Sequence, residues 1–225
     1  NFITGTDGVI DHWIRRGVSG FRLDVADELP DEFIEKIRNA AHAARADALI
    51  IGEVWEDASN KIAYSKRRKY LQGKELDSVM NYPLKDAIIK FLKSENTEVL
   101  REAIAQLRDN YPKCVLDSLM NILGTHDTSR ILTVLGGVPA YNKDEMNVTV
   151  MSEEVKVKAK VLLKIAAVLQ YTLFGVPCIY YGDEIGMEGY GDPFCRHTFS
   201  WDKIDNDLLG YYKRLGKMRR HLTLF

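Results

Sequence analysis

The sequence has no CxxC pair, and its three cysteines, Cys114, Cys178 and Cys195, stand far apart. An odd, scattered set argues against a disulfide framework, and the three read as mostly buried thiols of a reducing, cytoplasmic compartment. No apolar run approaches the roughly 20 residues that span a membrane. Neither sign of charge dominates: 31 Lys and Arg against 32 Asp and Glu give a formal net charge of -1. That balance suggests neither a nucleic-acid groove nor an anionic membrane as partner. No second histidine lies at metal-ligand spacing from His126, so no metal site is expected. Internal repeats, low-complexity tracts and domain linkers are missing too. The chain starts at Asn1 rather than Met and shows no signal-peptide pattern. It reads as a piece cut from something longer, from which an upstream signal could have been lost.

What is present suits a globular domain with a full core: 225 residues, 46 % hydrophobic and 28 % charged. Gly8 to Arg16 has helical spacing, with Val9, Trp13 and Ile14 on one side and Gly17 placed to end it. Gly20 to Val25 reads as a buried strand. Pro30 then opens a helix from Asp31 to about Ala46, with Phe33, Ile34 and Ile37 as its stripe. Ala48 to Trp55 is an apolar run of strand length, suited to burial on both faces. Lys61 to Tyr70 reads as a basic helical stretch, and Leu76 to Tyr82 as a strand stopped by Pro83. Two helices fill Leu84 to Asn110. Leu119 to Asp127 repeats the pattern of apolar run then polar residues. Ile131 to Leu135 suggests a short helix, and Gly136 to Thr149 a loop at the rim of a site. Met151 to Phe174 is a long helix, Pro177 to Gly182 a last strand, and Asn206 to His221 a final amphipathic helix. Strands alternate with helices five times, as in parallel βαβ units. Polar residues fall at the C-terminal ends of the strands, where active sites of α/β barrels lie.

Within Gly20 to Val25, period-two alternation puts Arg22 and Asp24 on one face and Phe21, Leu23 and Val25 on the other. In an apolar run such a pair is costly unless matched, so it is either a structural ion pair or part of a site. Glu53 and Asp127 also end strand-like runs. Glycoside hydrolysis needs two carboxyl groups, one as nucleophile and one as acid/base. Arg22 would keep Asp24 ionised, while Glu53, between Ile51 and Trp55, would hold its proton in apolar surroundings. Asp127 would be a third acid, with His126 beside it able to bind sugar hydroxyls. The alternative for His126-Asp127 is a helix N-cap, which the following Thr128-Ser129-Arg130-Ile131 fits.

These residues resemble the alpha-amylase family of glycoside hydrolases, in particular its neopullulanase, cyclomaltodextrinase and maltogenic-amylase branch. Gly20-Phe21-Arg22-Leu23-Asp24-Val25-Ala26 resembles the fourth-strand motif, and Gly52-Glu53-Val54-Trp55 the fifth. Gly124-Thr125-His126-Asp127-Thr128 resembles the seventh, and Tyr180-Tyr181-Gly182-Asp183-Glu184-Ile185-Gly186-Met187 the eighth strand and its loop. The resemblance implies an α/β fold: a single partial (β/α)8 TIM barrel over residues 1–225, covering roughly the fourth to eighth βα units. The first three strands, the small inserted domain and the C-terminal β-domain would be absent.

The resemblance further implies a retaining hydrolase of α-glucosidic bonds in starch-like oligosaccharides, maltodextrins or cyclodextrins. Asp24 would be the nucleophile, Glu53 the acid/base and Asp127 the transition-state stabiliser. Arg22 would hold the nucleophile and His126 would bind substrate. Asp192 and Arg196 resemble a sugar-binding pair, or form a loop salt bridge. Trp55 and Tyr82 are stacking platforms for sugar, or core and rim packing. Where the branch often has Asn-Glu after Val25-Ala26, this chain has Asp27-Glu28. Where the branch often has His after Trp55, it has Glu56. Both positions, Glu28 included as a substrate contact, border the acceptor side, so the choice between α-1,4 and α-1,6 bonds, and between water and sugar acceptors, stays open. No cofactor is implied; some relatives bind calcium, but no ligand cluster is evident here. Two readings stand beside hydrolysis: a transglycosylase of the same family, and an inert half-barrel or scaffold whose open sheet edges would drive homodimer formation.

Overall fold

Parallel strands joined through a helix need a crossover, and the first stretch of the chain supplies one. Helix α1 (Val9–Arg15) buries Ile10 and Ile14, leaving Trp13 half-exposed rather than on the inner side. Strand β1 (Gly20–Leu23) follows, then helix α2 (Asp31–Ala44), then strand β2 (Leu49–Gly52). The register runs from Gly20 opposite Leu49 to Leu23 opposite Gly52, in parallel. A Cβ on Gly20 would lie 2.2 Å from the Leu49 carbonyl oxygen, so only glycine lets the two backbones approach this closely. Helix α2 packs on α1; its buried residues are Ile34, Ile37 and Ala41, spaced as one face of a helix.

Residues 2–221 are described by the computed structural model. They form two compact units, residues 2–83 with 103–120, and residues 84–102 with 121–221. In the first unit an antiparallel hairpin, β3 (Ile62–Ala63) and β4 (Lys66–Arg67), follows β2. This corrects the helical reading of Lys61 to Tyr70. Tyr64 and Ser65 both take positive φ, 51° and 61°, as a tight two-residue hairpin turn requires. Strand β5 (Ser78–Val79) then pairs in parallel with β2, giving the order β1-β2-β5. The apolar run before Pro83 thus supplies a strand of two residues; the next helix, α3 (Tyr82–Ser94), takes Pro83 into its first turn. Helix α4 (Thr97–Asn110) is as expected, whereas α5 (Lys113–Ser118) was not foreseen. The Ser78 hydroxyl donates to the Val115 carbonyl at 3.2 Å, joining β5 to α5. Met80 bridges in parallel to Met120, at the start of β6 (Met120–Asn121).

In the second unit three helices pack in series: α6 (Ile131–Gly136) on α8 (Glu153–Thr172), and α8 on α9 (Asn206–His221). Ala167, Tyr171, Tyr212 and Leu215 form a buried cluster between the last two. Between α6 and α8 the expected loop holds a short helix, α7 (Lys143–Val148), capped by the Asn142 side chain, which accepts from the Glu145 N–H. The last strand is brief, β7 (Val176–Pro177). Just beyond it the Cys178 N–H donates to the Asn121 carbonyl at 2.8 Å. Gln170 of α8 donates to the carbonyls of both Asn121 and Cys178, at 3.0 and 2.9 Å, so one amide group does what a longer ladder would otherwise do. The cysteines are mixed rather than mostly buried: Cys195 is buried, Cys178 intermediate and Cys114 exposed. Among the described residues no helix is long and apolar enough to cross a membrane.

Candidate active site

Strand β1 carries Arg22 to its C-terminal end and stops at Leu23. Asp24 therefore stands just past the strand, and Val25 does not continue the alternation. Val25 takes a left-handed conformation, φ 41° and ψ 61°, unusual for a branched residue. The twist aims its N–H at Glu53 Oε2, 2.9 Å away. The next N–H, of Ala26, donates to the Glu53 carbonyl at 3.1 Å, and the Glu53 N–H donates to the Leu23 carbonyl at 3.0 Å. The ends of β1 and β2 are thus fastened to each other around one acidic residue.

The guanidinium of Arg22 joins both carboxylates. Its Nη1 pairs with Asp24 Oδ1, and its Nη2 lies 2.9 Å from Glu53 Oε1. Its Nε contacts the Met80 sulfur at 3.4 Å. Glu53 is 4 % exposed yet is not in apolar surroundings. Besides Arg22 and the Val25 N–H, the Trp55 indole donates to its Oε1 at 3.2 Å. The expectation of a greasy setting, drawn from Ile51 and Trp55, is corrected by these donors: one flanking residue turns its polar edge to the carboxylate. Asp24, by contrast, is open to solvent.

Trp55 is half-exposed and stacks on Tyr82, with ring centroids 4.8 Å apart and planes 13° apart. Tyr82 is 1 % exposed, so it supports Trp55 from beneath and has no free face for a ligand. Of the alternatives open to the two rings, Tyr82 is packing. Glu28 lies on the short turn after Val25, where the Tyr64 hydroxyl of the β3–β4 hairpin meets its carboxylate.

The second unit holds the other sequence-singled residues. The turn before α6 is closed by threonines: the Thr125 N–H donates to Thr128 Oγ1 at 3.1 Å, and the Asp127 N–H to Thr125 Oγ1 at 3.2 Å. Asp127 does not cap α6, whose N-cap position is Arg130 and lacks a side-chain cap. Its carboxylate instead lies 3.1 Å from His126 Nε2 and 3.1 Å from Arg196 Nη2. Arg196 Nε lies 2.8 Å from Asp192 Oδ1 and donates to the His126 carbonyl at 2.8 Å. The loop salt bridge between Asp192 and Arg196 therefore exists, and it also holds Asp127.

Sequence reasoning passed over Arg130, which is fully buried. Its Nη1 donates to the Tyr181 carbonyl at 2.6 Å, and its guanidinium lies 4.7 Å from each of the Tyr180 and Tyr181 ring centroids. Asp183 is its ionic partner at 3.5 Å. Burial pushes the Asp183 carboxyl up to about 7, against the pull of Arg130, with Glu184 adding to the rise. Lys61 and Arg68 were likewise missed as individuals, being read as part of a basic helical run. Among the described residues no group of three or more His, Cys, Asp or Glu side chains gathers as metal ligands would.

Comparison with known proteins bears on these two clusters. The family described as alpha amylase, catalytic domain, matches residues 4–209. A cyclomaltodextrinase from Geobacillus thermopakistaniensis is 37 % identical over 217 residues, covering 94 % of this chain and 32 % of that protein. Neopullulanase 2 from Thermoactinomyces vulgaris is 35 % identical over 215 residues, covering 94 % and 32 %. Among solved structures, the type III pullulan hydrolase from Thermococcus kodakarensis superposes with a TM-score of 0.78 at 29 % identity, covering 93 % of this chain and 34 % of that one. A cyclic alpha-maltosyl-(1→6)-maltose hydrolase from Arthrobacter globiformis gives 0.77 at 27 % identity, covering 96 % and 43 %. The chain spans about a third of the length of the curated relatives it matches. With a helix-rich α/β fold, and a match that takes in both carboxylate clusters, the chain belongs to the alpha-amylase catalytic-domain family.

Proposed function

We propose that this chain is the part of a (β/α)8 barrel running from roughly the fourth to the eighth βα unit of a retaining glycoside hydrolase. Its substrates would be α-glucosidic bonds of starch-like oligosaccharides, maltodextrins or cyclodextrins, as the names of its relatives suggest. The observation that carries the reading is the shared guanidinium: Arg22 meets Asp24 on one side and Glu53 on the other. Retaining hydrolysis works through two carboxyl groups about 5–5.5 Å apart, and one arginine held between two carboxylates is compatible with that spacing.

Asp24 attacks the anomeric carbon, and the bond to the leaving oxygen breaks as Glu53 gives that oxygen a proton. A glycosyl ester on Asp24 results. Glu53, now a carboxylate, takes a proton from water, which attacks the same carbon and frees Asp24. Arg22 pairs with the nucleophile and orients its carboxylate. The Val25 N–H and the Trp55 indole fix the Glu53 carboxyl, so little reorganisation is needed at the moment of proton transfer. The role proposed for Asp127, transition-state stabilisation, rests on its motif and on the His126 and Arg196 contacts that orient it.

The test uses the full-length protein on maltodextrin and cyclodextrin. Asp24→Asn should abolish turnover and the covalent intermediate seen by mass spectrometry under acid quench. Glu53→Gln should spare substrates with activated leaving groups. Full activity of Asp24→Asn overturns the assignment.

A further inference from the structure

Glu53 handles the leaving sugar in the first half-reaction and the incoming acceptor in the second. Groups that flank it therefore border the half of the site where both are held. Glu56 stands three residues on, directly after the half-exposed ring of Trp55, and its side chain is 65 % exposed. An exposed glutamate normally samples many rotamers. Here the carboxylate has a tethered partner: Lys61 Nζ pairs with Glu56 Oε2 while also lying 3.0 Å from Asp27 Oδ2.

Asp27 is itself fixed. Its Oδ1 accepts from the Tyr70 hydroxyl at 2.6 Å, and Tyr70 is fully buried. Arg68 donates to the Asp27 carbonyl at 2.8 Å and the Leu29 carbonyl at 2.5 Å. It also pairs with Asp31 at 2.7 Å. The anchor is thus rigid backbone and buried side chains. Lys61 is mostly buried itself, and among the described residues its ammonium is the one partner of the Glu56 carboxylate. Oε1 of Glu56 is left to accept from outside.

We propose that Lys61 is a specificity-determining residue that holds Glu56 in place to accept hydrogen bonds from hydroxyls of the sugar leaving, or attacking, on the Glu53 side. An aromatic face followed by a fixed carboxylate suits a pyranose, which presents C–H bonds on its faces and hydroxyls at its edge. A site that binds the leaving sugar also binds an acceptor sugar, so the same contact favours transfer to sugar over transfer to water. The inference rests on the assignment of Glu53 as acid/base.

Two substrates separate the inference from that assignment. Maltotriose leaves a sugar behind; 4-nitrophenyl α-maltoside leaves a phenolate with no hydroxyls for Glu56. In the full-length protein, Lys61→Met and Glu56→Gln should each lower kcat/KM on maltotriose roughly fivefold, the scale of one exposed ionic contact. The ratio of transfer products to hydrolysis products should fall with it. Activity on the aryl maltoside should stay within about twofold of the parent, a change too small to reflect a lost contact, and Lys61→Arg should restore the maltotriose rate. Equal losses on both substrates would show a merely structural role and overturn the proposal. An unchanged maltotriose rate and product ratio would overturn it as well. If the parent protein hydrolyses neither substrate, it is the glycosidase reading that fails.

Discussion

Glu75 offers a test of the electrostatics of the first unit. It is 1 % exposed, and no hydrogen-bond partner is found for its Oε2 among the described residues. Burial pushes its carboxyl up from 4.5 to about 7; Asp31 and Glu35 add to the rise and Arg68 opposes it. The folded state thus holds a proton that the unfolded chain has already released at neutral pH. Below 4.5 both states are protonated and the group is neutral in the balance. Between 4.5 and about 7 the unfolded chain ionises first, so stability falls as pH rises; above 7 the whole penalty is present. At 1.36 kcal/mol per pH unit the penalty is about 3 kcal/mol. Glu75→Gln keeps the shape and removes the titration. Urea unfolding of parent and variant at about pH 4.5 and pH 8 gives two differences in stability, and the fixed cost of burying an amide cancels between them. The variant should gain about 3 kcal/mol more at the higher pH. Equal differences at both pH values would refute the reasoning, and a larger gain at the lower pH would reverse its sign.

Three further outcomes follow from the geometry. Gly20→Ala places a methyl group 2.2 Å from the Leu49 carbonyl oxygen; strands β1 and β2 must part, and chemical denaturation should show a loss of about 1–3 kcal/mol, whereas no loss would mean the backbones are not so close. Gly182→Ala meets both a positive φ of 88° and the Met187 sulfur at 2.3 Å; a loss of about 1–2 kcal/mol from conformation alone is expected, with a lower melting temperature, and an unchanged melt would contradict it. Arg196→Lys cannot hold Asp127, Asp192 and the His126 carbonyl together, since a point charge replaces a planar fork. Loss of one charged hydrogen bond should cost about tenfold in kcat on maltodextrin; an unchanged kcat would remove Asp127 positioning from the role of Arg196.

The pairing of Arg22 with Asp24 was legible because the two charges stand two residues apart in a short apolar run, although β1 ends at Leu23 and Asp24 lies just beyond it. Glu53 was misjudged because its surroundings are set at long range. The donors on its carboxylate come from Val25, through a backbone turn no propensity suggests, and from the polar edge of a ring counted as apolar. Lys61 to Tyr70 failed for a related reason. Its lysines and arginines suit a helix locally, but Asp27, Asp31 and Glu28 draw Lys61, Arg68 and Tyr64 toward one turn, and a hairpin delivers all three. The cap of α7 was readable in advance: Asn142 and Glu145 stand at capping spacing within a stretch otherwise taken as loop. Tyr82 was beyond a sequence reading, since nothing local tells a ring that faces solvent from one beneath another ring.

The twist at Val25 sets two selective pressures against each other. Glycine there would release the conformational stress, and a library sorted for heat tolerance should enrich it. The same change would let the amide swing away from the acid it steadies, so a library sorted for turnover should purge it. Position 25 is where durability and speed part company in this protein.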